Sequence, residues 1–199
     1  MSLISEVSRL RRKPISKTVR KRLIEFGKNK EWFSELCFCI LTANSKAKTA
    51  ISIQKRLGRR GFLNLEKGEL AGIIRKHKHR FHNIKAGYIC EAREFRSIRT
   101  ILENEKDPRE WLVRNVKGLG WKEASHFLRN VGCTDYAILD RHILNLMEKD
   151  KLIKKPKTMN RRNYLEIEGK LRKIAEKLRI NLAELDLYMW YMETGEVLK

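Results

Sequence analysis

A lysine and an aspartate eighteen residues apart are the side chains of this sequence best suited to covalent chemistry. Lys122 follows the glycine-containing segment 116–120, and Asp140 opens the segment 140–144. A lysine amine can attack carbon, and an ionised carboxylate can stabilise positive charge on a sugar or assist the proton transfers of the amine. The pair therefore indicates a reaction at a sugar carbon that passes through a covalent amine adduct.

The segment before Lys122 has the composition of a tight turn that binds phosphate. Glycine permits a close approach that side chains prevent, so the N–H groups of Gly118, Leu119 and Gly120 can converge on one phosphate oxygen. Apolar residues at helical spacing flank the turn on both sides: Trp111, Leu112, Ala124, Phe127, Leu128 and Val131. We expect a helix, a turn and a second helix, with Lys122 near the sugar of the bound phosphate. The alternative is a corner between two helices that binds nothing.

Each of these residues also has an ordinary structural explanation. A lysine in a basic chain is commonly a solvated charge, and Asp140 would cap the helix that its apolar pattern predicts. Capping and catalysis are compatible, because the N–H groups at a helix start bind an ionised carboxylate. Glu123 is predicted to be a charge at the N-terminus of its helix. His142 could contact a phosphate or make a local hydrogen bond, and we favour the local bond.

The composition indicates a polyanionic partner. The 199 residues include 45 Lys and Arg against 24 acidic residues, for a formal net charge of +21. Basic residues concentrate in 9–30, 75–85 and 151–179, and such clusters supply affinity for nucleic acid rather than sequence readout. The charged surface of a thermophile is the alternative, but such surfaces usually mix both signs.

The sequence does not favour a membrane protein or a metal protein. No apolar run approaches the roughly twenty residues of a membrane span, and the N-terminus is too charged for a signal peptide. We therefore expect a soluble, intracellular protein. The cysteines, Cys37, Cys39, Cys90 and Cys133, lack paired Cys-x-x-Cys spacing. We expect no disulfide, no metal and no cofactor.

Apolar residues recur at helical spacing through nearly the whole chain, and alternating strand patterns are nearly absent. The sequence predicts an all-α fold of nine or ten helices without a substantial sheet. Asp107 before Pro108 predicts a helix start. Four glycines are predicted to lie where helices stop: Gly58, Gly61, Gly132 and Gly195.

The hairpin with Lys122 and Asp140 resembles the helix-hairpin-helix DNA glycosylase superfamily, specifically its lysine-bearing bifunctional members. Three further segments, 40–47, 80–86 and 189–199, resemble the archaeal-type (type 2) 8-oxoguanine DNA glycosylase/AP lyase family. The resemblance therefore covers nearly the whole chain.

This resemblance implies a single domain of two helical lobes around a DNA-binding cleft. The lobe that carries the hairpin would comprise about 30–129, and the other about 1–29 with 130–199. The implied activity is base-excision repair: Lys122 attacks C1′ of a nucleotide that bears 8-oxoguanine, the base leaves, and β-elimination through a Schiff base cleaves the strand. Asp140 is the second implied catalytic residue.

The family forms its base pocket with the C-terminal lysine and a tryptophan nine residues earlier, which are Lys199 and Trp190 here. Phe81 is a candidate stacking surface for the base, although a core aromatic is at least as good an interpretation. Because 8-oxoguanine carries an N7–H donor that guanine lacks, an acceptor aimed at N7 would reject guanine.

Two other functions stay open. An endonuclease-III-like glycosylase for oxidised pyrimidines matches less well, because one iron–sulfur branch of the superfamily has four closely spaced cysteines near its C-terminus and the last 66 residues here contain none. A non-enzymatic helix-hairpin-helix module would bind DNA without needing Lys122 and Asp140. The expected partner is double-stranded DNA containing 8-oxoguanine, with no membrane. The expected state is a monomer in a prokaryotic cytoplasm, associated with the nucleoid.

Overall fold

The computed structural model describes residues 2–199, and those residues form α-helices and short connections without a β-strand. The helices are α1 (Leu3–Arg11), α2 (Ile15–Gly27), α3 (Trp32–Thr42), α4 (Ala47–Asn64), α5 (Lys67–Lys76), α6 (His82–Ala92), α7 (Ile98–Glu103), α8 (Pro108–Asn115), α9 (Trp121–Asn130), α10 (Arg141–Lys149), α11 (Arg161–Leu178) and α12 (Leu182–Thr194). A 3-10 turn, Arg93–Phe95, lies between α6 and α7. The predicted all-α class is confirmed.

The described chain has twelve α-helices, so the predicted nine or ten is too low. One break that the sequence conceals lies between α6 and α7. Apolar residues at Tyr88, Phe95 and Ile98 continue the helical spacing across it, and the 3-10 turn contains neither glycine nor proline. A change of helix type without a breaker residue leaves no local signal for a pattern method.

Several helix ends follow the predicted signals. The Asp107 carboxylate accepts a hydrogen bond of 2.9 Å from the Glu110 N–H, so Asp107 caps α8 with Pro108 in its first turn. Gly195 ends α12, and Gly132 follows the end of α9. These predictions are confirmed.

Gly58 ends the first of two helical stretches that make up α4, as predicted, whereas Gly61 does not end a helix, and that prediction is wrong. Both lie within α4, where Gly58 has a φ of 55° and marks a kink between two helical stretches. A Cβ added to Gly61 would approach the Leu57 side chain at 3.1 Å. The two glycines therefore shape α4 from inside, one as a bend and the other as a site of close packing.

One compact unit comprises Lys30–Phe127. Its helix α3 packs against α4, α6 and α7, and every residue of the segment 33–42 is buried. A helix that is apolar around its circumference is stable only when it is covered on all sides. Full burial of each large apolar side chain contributes roughly 1.5–3 kcal/mol. Helix α8, which leads into the hairpin, packs against α7.

The second compact unit comprises the residues up to Asn29 together with Leu128–Lys199. Its helix α12 packs against α1, α2, α10 and α11. The segment 182–189 of α12 is buried apart from the half-buried Glu184. Helix α12 is therefore the core helix of this unit.

A buried ion pair lies in the second unit. The Arg129 guanidinium donates to the Asp186 carboxylate and, at 2.9 and 3.1 Å, to the Asn130 side-chain oxygen. It also lies 4.9 Å from the centre of the Phe26 ring. Burial raises the pKa of Asp186 to about 6, Arg129 opposes this rise, and the charge of Asp140 adds to it. Several hydrogen bonds thus compensate the Arg129 charge for its loss of water.

No helix of the described chain is long and apolar enough to cross a membrane. Within residues 2–199, no group of three or more His, Cys, Asp or Glu side chains is arranged to hold a metal ion. All four cysteines are free thiols, and burial raises the pKa of Cys37 and of Cys133.

Candidate functional site

The predicted hairpin is present between α8 and α9. The Val116 N–H closes α8 with a bond of 3.0 Å to the Leu112 carbonyl, and the Leu119 N–H donates to the Val116 carbonyl at 3.2 Å. The Leu119 side chain is buried, whereas Gly120 is exposed. Backbone groups rather than the Leu119 side chain are therefore the part of this hairpin that can meet a ligand.

Gly118 is the position where the hairpin requires glycine. Its φ is 87°, which is unfavourable for residues with a Cβ, and an added Cβ would lie 2.6 Å from the Tyr88 ring. Tyr88 belongs to α6, so the turn rests directly on this ring. Sequence reasoning placed Tyr88 in a helical pattern only, because its contact with the hairpin depends on how α6 and the turn meet.

Lys122 lies in the first turn of α9, with 31% of its side chain exposed. Its Nζ atom is 2.9 Å from one carboxylate oxygen of Glu123. The other oxygen of Glu123 accepts a bond of 3.2 Å from the Gly120 N–H, as in half of a capping box. The predicted charge at the helix N-terminus is thus also a bridge between the hairpin backbone and the Lys122 amine.

A second lysine belongs to the same surroundings. Lys85, in the first turns of α6, is only 5% exposed, and its amine lies 6.0 Å from the centre of the Tyr88 ring. Burial lowers the pKa of Lys85, the charge of Lys122 lowers it further, and the charge of Glu123 raises it. Sequence reasoning counted Lys85 only as part of the basic segment 75–85. Its burial carries no local sequence signal.

Asp140 caps α10, as its position in the sequence predicts. One carboxylate oxygen accepts bonds of 2.9 Å from the N–H groups of both His142 and Ile143. The preceding chain is fixed by α11, where the Tyr164 hydroxyl donates to the Ala137 carbonyl at 2.7 Å. The Asp140 carboxylate is therefore held at a defined place in its unit.

His142 and Trp190 are in contact. Their ring centres are 5.2 Å apart, and the ring planes meet edge to face at 78°. The Trp190 Nε1–H is buried and has no acceptor among residues 2–199. The His142 Nε2 atom lies 3.4 Å from Arg141 Nε. This places three of the predicted site residues, Asp140, His142 and Trp190, close together in one unit.

Phe81 precedes α6 and is only partly buried, with the Arg80 guanidinium 4.6 Å from its ring centre. Its N–H donates to Nδ1 of His79 at 3.2 Å, while Nε2 of His79 lies 2.9 Å from the Leu41 carbonyl. These two bonds give His79 a neutral ring with the proton on Nε2, and burial lowers its pKa accordingly. His79 thus orients the backbone at Phe81, a role that the sequence did not reveal.

Lys199 lies in the segment 195–199 that follows α12, and it is half-buried. The turn that begins this segment is stabilised by the Thr194 hydroxyl, which accepts from the Glu196 N–H at 3.3 Å. Lys199 and Trp190 belong to the same unit as Asp140. The hairpin, Lys122 and Phe81 belong to the other.

The all-α architecture and the hairpin define a helix-hairpin-helix protein. The solved structure of a trapped Endonuclease III–DNA covalent intermediate shares this fold, with a TM-score of 0.65 at 19% identity over 88% of this chain and 84% of that one. At such identity the likeness shows the fold alone.

Closer relatives define the family. The 8-oxoguanine DNA glycosylase family model matches residues 18–180. The 8-oxoguanine DNA glycosylase/AP lyase of Methanocaldococcus jannaschii is 51% identical, with 100% of both chains covered. A crystal structure of the glycosylase/lyase of that organism, in complex with 15mer DNA containing 8-oxoguanine, superposes with a TM-score of 0.96 at 50% identity and full coverage of both chains. The chain therefore belongs to the 8-oxoguanine DNA glycosylase family, which confirms the resemblance predicted from the sequence.

Proposed function

We propose that this protein is a DNA repair enzyme that removes 8-oxoguanine from double-stranded DNA and cleaves the strand at the abasic site. The observation that carries this function is the position of Lys122: a partly exposed amine in the first turn of α9, directly after a hairpin that rests on Tyr88. The M. jannaschii relative, of nearly equal length, has both activities in its name and is solved with DNA containing 8-oxoguanine.

In the proposed reaction the Lys122 amine attacks C1′ of the damaged nucleotide. The bond from C1′ to N9 of the base breaks, and the base leaves with a proton. Opening of the sugar ring gives a Schiff base between C1′ and Nζ. Loss of a proton from C2′ then expels the 3′ phosphate, which cleaves the strand.

Asp140 is the proposed second catalytic residue. The Asp140 carboxylate is held by two N–H groups at the start of α10, so it can present a fixed negative charge without reorganising during the reaction. That charge would stabilise the positive charge that develops on the sugar as the base leaves. It would also assist the proton transfers of the Lys122 amine.

We assign base recognition to Lys199, Trp190 and Phe81. Lys199 is half-buried in the same unit as Trp190, and an acceptor in this segment could pair with the N7–H that distinguishes 8-oxoguanine from guanine. The Trp190 and Phe81 rings offer apolar faces of the kind on which a flipped base stacks. Phe81 supports this assignment because it is partly exposed rather than part of the core.

Binding to the duplex would rest on charge and on the hairpin. The backbone at Gly118, Leu119 and Gly120 is the proposed phosphate site, with His142 as a further contact. The net charge of +21 favours a polyanion and predicts affinity that falls steeply with salt. We propose a monomer that acts in the cytoplasm, on the nucleoid. Covalent trapping on a duplex with one 8-oxoguanine tests the proposed reaction.

A further inference from the structure

Glu123 joins two parts of the proposed site. One carboxylate oxygen accepts from the Gly120 N–H at 3.2 Å, and the other lies 2.9 Å from the Lys122 amine. Only 12% of the Glu123 side chain is exposed, so water competes weakly for either contact. A residue that merely caps α9 would need only the bond to Gly120.

The two contacts conflict with the proposed reaction in the DNA-free protein. A phosphate at the hairpin and the Glu123 carboxylate would seek the same Gly120 N–H, and both are anions. For attack on a sugar carbon, the Lys122 amine has to give up this pairing with Glu123. Arrival of the phosphate at the Gly120 N–H requires the carboxylate to move, and that movement also disrupts its contact with the Lys122 amine.

We infer that Glu123 is a positioning residue that holds the Lys122 amine in a resting place until a DNA phosphate at the hairpin displaces its carboxylate. This inference rests on the proposed function, because it takes Lys122 as the nucleophile and the hairpin as a phosphate site. Binding of the backbone and release of the amine are then one event, so the amine becomes free only on DNA.

Lys85 provides the charge that this displacement needs. The charges of Glu123 and Lys122 both act on the Lys85 amine, and no carboxylate of residues 2–199 forms an ion pair with it. The Lys85 charge, which already interacts with Glu123, could therefore compensate a displaced Glu123 carboxylate when Lys122 leaves. Without that cation, the displaced carboxylate would lie near the incoming phosphate without compensation.

The test compares Glu123→Gln with Glu91→Gln. Glutamine at position 123 can still accept from the Gly120 N–H, so the helix start is kept while the negative charge is removed. Glu91 is the matched control, because it pairs at 2.8 Å with Lys117, the residue next to Gly118, and its loss changes the net charge by the same amount. Melting temperatures establish that both variants are folded.

The first readout is affinity for an undamaged duplex, measured by fluorescence anisotropy. Glu123→Gln is expected to bind roughly five-fold or more tightly than wild type, the lower end of typical coupling between two sites. Glu91→Gln is expected to give a smaller gain. Equal gains in affinity for the two variants would show that the change in net charge explains the effect, and would overturn the inference. Weaker binding by Glu123→Gln than by wild type would also overturn it.

The second readout is reductive methylation of Lys122 by formaldehyde and cyanoborohydride without DNA, followed by peptide mass spectrometry. Glu123→Gln is expected to speed labelling of Lys122 and leave Lys117 in the same digest unchanged. Equal rates of Lys122 labelling in wild type and Glu123→Gln would overturn the inference that Glu123 holds the Lys122 amine in the absence of DNA. Neither readout involves base excision, so the inference can fail while Lys122 proves to be the nucleophile, and the converse also holds.

Discussion

The Tyr164 hydroxyl donates a hydrogen bond of 2.7 Å to the Ala137 carbonyl and accepts one of 3.3 Å from the Leu139 N–H. One buried side chain of α11 therefore fixes the chain just before Asp140. Because α10 begins immediately afterwards, this contact determines where the Asp140 carboxylate lies. A residue without a role in the reaction thus controls the place of a proposed catalytic group.

Tyr164→Phe tests this control. Loss of the hydroxyl leaves two buried backbone groups unpaired, so the free energy of unfolding is expected to fall by about 1–3 kcal/mol. Displacement of Asp140 is expected to slow single-turnover strand cleavage by roughly ten-fold or more. Tyr191→Phe is the control, because no hydrogen bond of the Tyr191 hydroxyl is present in the described chain. If folded Tyr164→Phe cleaves the strand at the wild-type rate, Tyr164 does not control the position of the Asp140 carboxylate.

Asp140 has a capping role and a proposed catalytic role, and two substitutions separate them. Asparagine caps helices about as well as aspartate, so Asp140→Asn is expected to keep the stability of the wild type within about 0.5 kcal/mol. It is expected to lower the single-turnover rate roughly 100-fold, because the negative charge is lost. Asp140→Ala should lose both the rate and about 1 kcal/mol of stability. Full activity of Asp140→Asn would leave capping as the only role of this residue.

Lys199 is expected to serve discrimination more than affinity. Deletion of Lys199 removes the whole residue, whereas Lys199→Met keeps its backbone and removes only the amine. Deletion is expected to reduce the preference for 8-oxoguanine over guanine by roughly ten-fold or more, because a mismatched acceptor and donor are costly in a pocket. The measurements are single-turnover excision from matched duplexes and affinity for an undamaged duplex. An equal fall in affinity and discrimination would instead indicate a folding defect.

The burial of the Lys85 amine predicts how the stability of the protein depends on pH. Burial lowers its pKa below the usual 10.5, so between the lowered value and 10.5 the unfolded chain binds more protons than the folded one. The buried charge therefore destabilises the fold fully at pH values below the lowered pKa. This destabilisation disappears as the pH rises from the lowered pKa to 10.5.

Lys85→Met removes that cost. At neutral pH its free energy of unfolding is expected to exceed that of wild type by on the order of 1 kcal/mol, and the difference should shrink as the pH approaches 10.5. Urea unfolding across this range measures it, with the exposed Lys106→Met as the control. A difference that stays constant with pH would show that packing, and not charge, separates Lys85→Met from the wild type.

Helix caps and the hairpin could be predicted from the sequence, because residues close together in the sequence determine them. Asp140 and Asp107 cap helices because capping requires only a short polar side chain before a helical pattern. The hairpin between α8 and α9 is predictable for the same reason, since its glycines and flanking apolar residues are close in sequence.

The features that prediction misses depend on contacts between distant segments. Residues far apart in sequence meet in three of these features. They are the burial of Lys85, the support of Gly118 by Tyr88, and the bond from Tyr164 to the chain before Asp140. The bridge from Glu123 to Lys122 is local, but a first-turn glutamate has several available rotamers, and only the structure identifies its partners.

The most direct test of the proposed reaction is borohydride trapping on a duplex with one 8-oxoguanine opposite cytosine. A duplex with an oxidised pyrimidine and the Lys122→Gln variant are run in parallel, with anisotropy to verify that both proteins bind DNA. We predict a covalent adduct only for wild type on 8-oxoguanine. An adduct of equal yield with Lys122→Gln would contradict the assignment of Lys122. If wild type is trapped only on the pyrimidine lesion, the proposal that 8-oxoguanine is the substrate is contradicted. If the protein binds DNA but gives no adduct on either duplex, the proposal that it is an enzyme is contradicted.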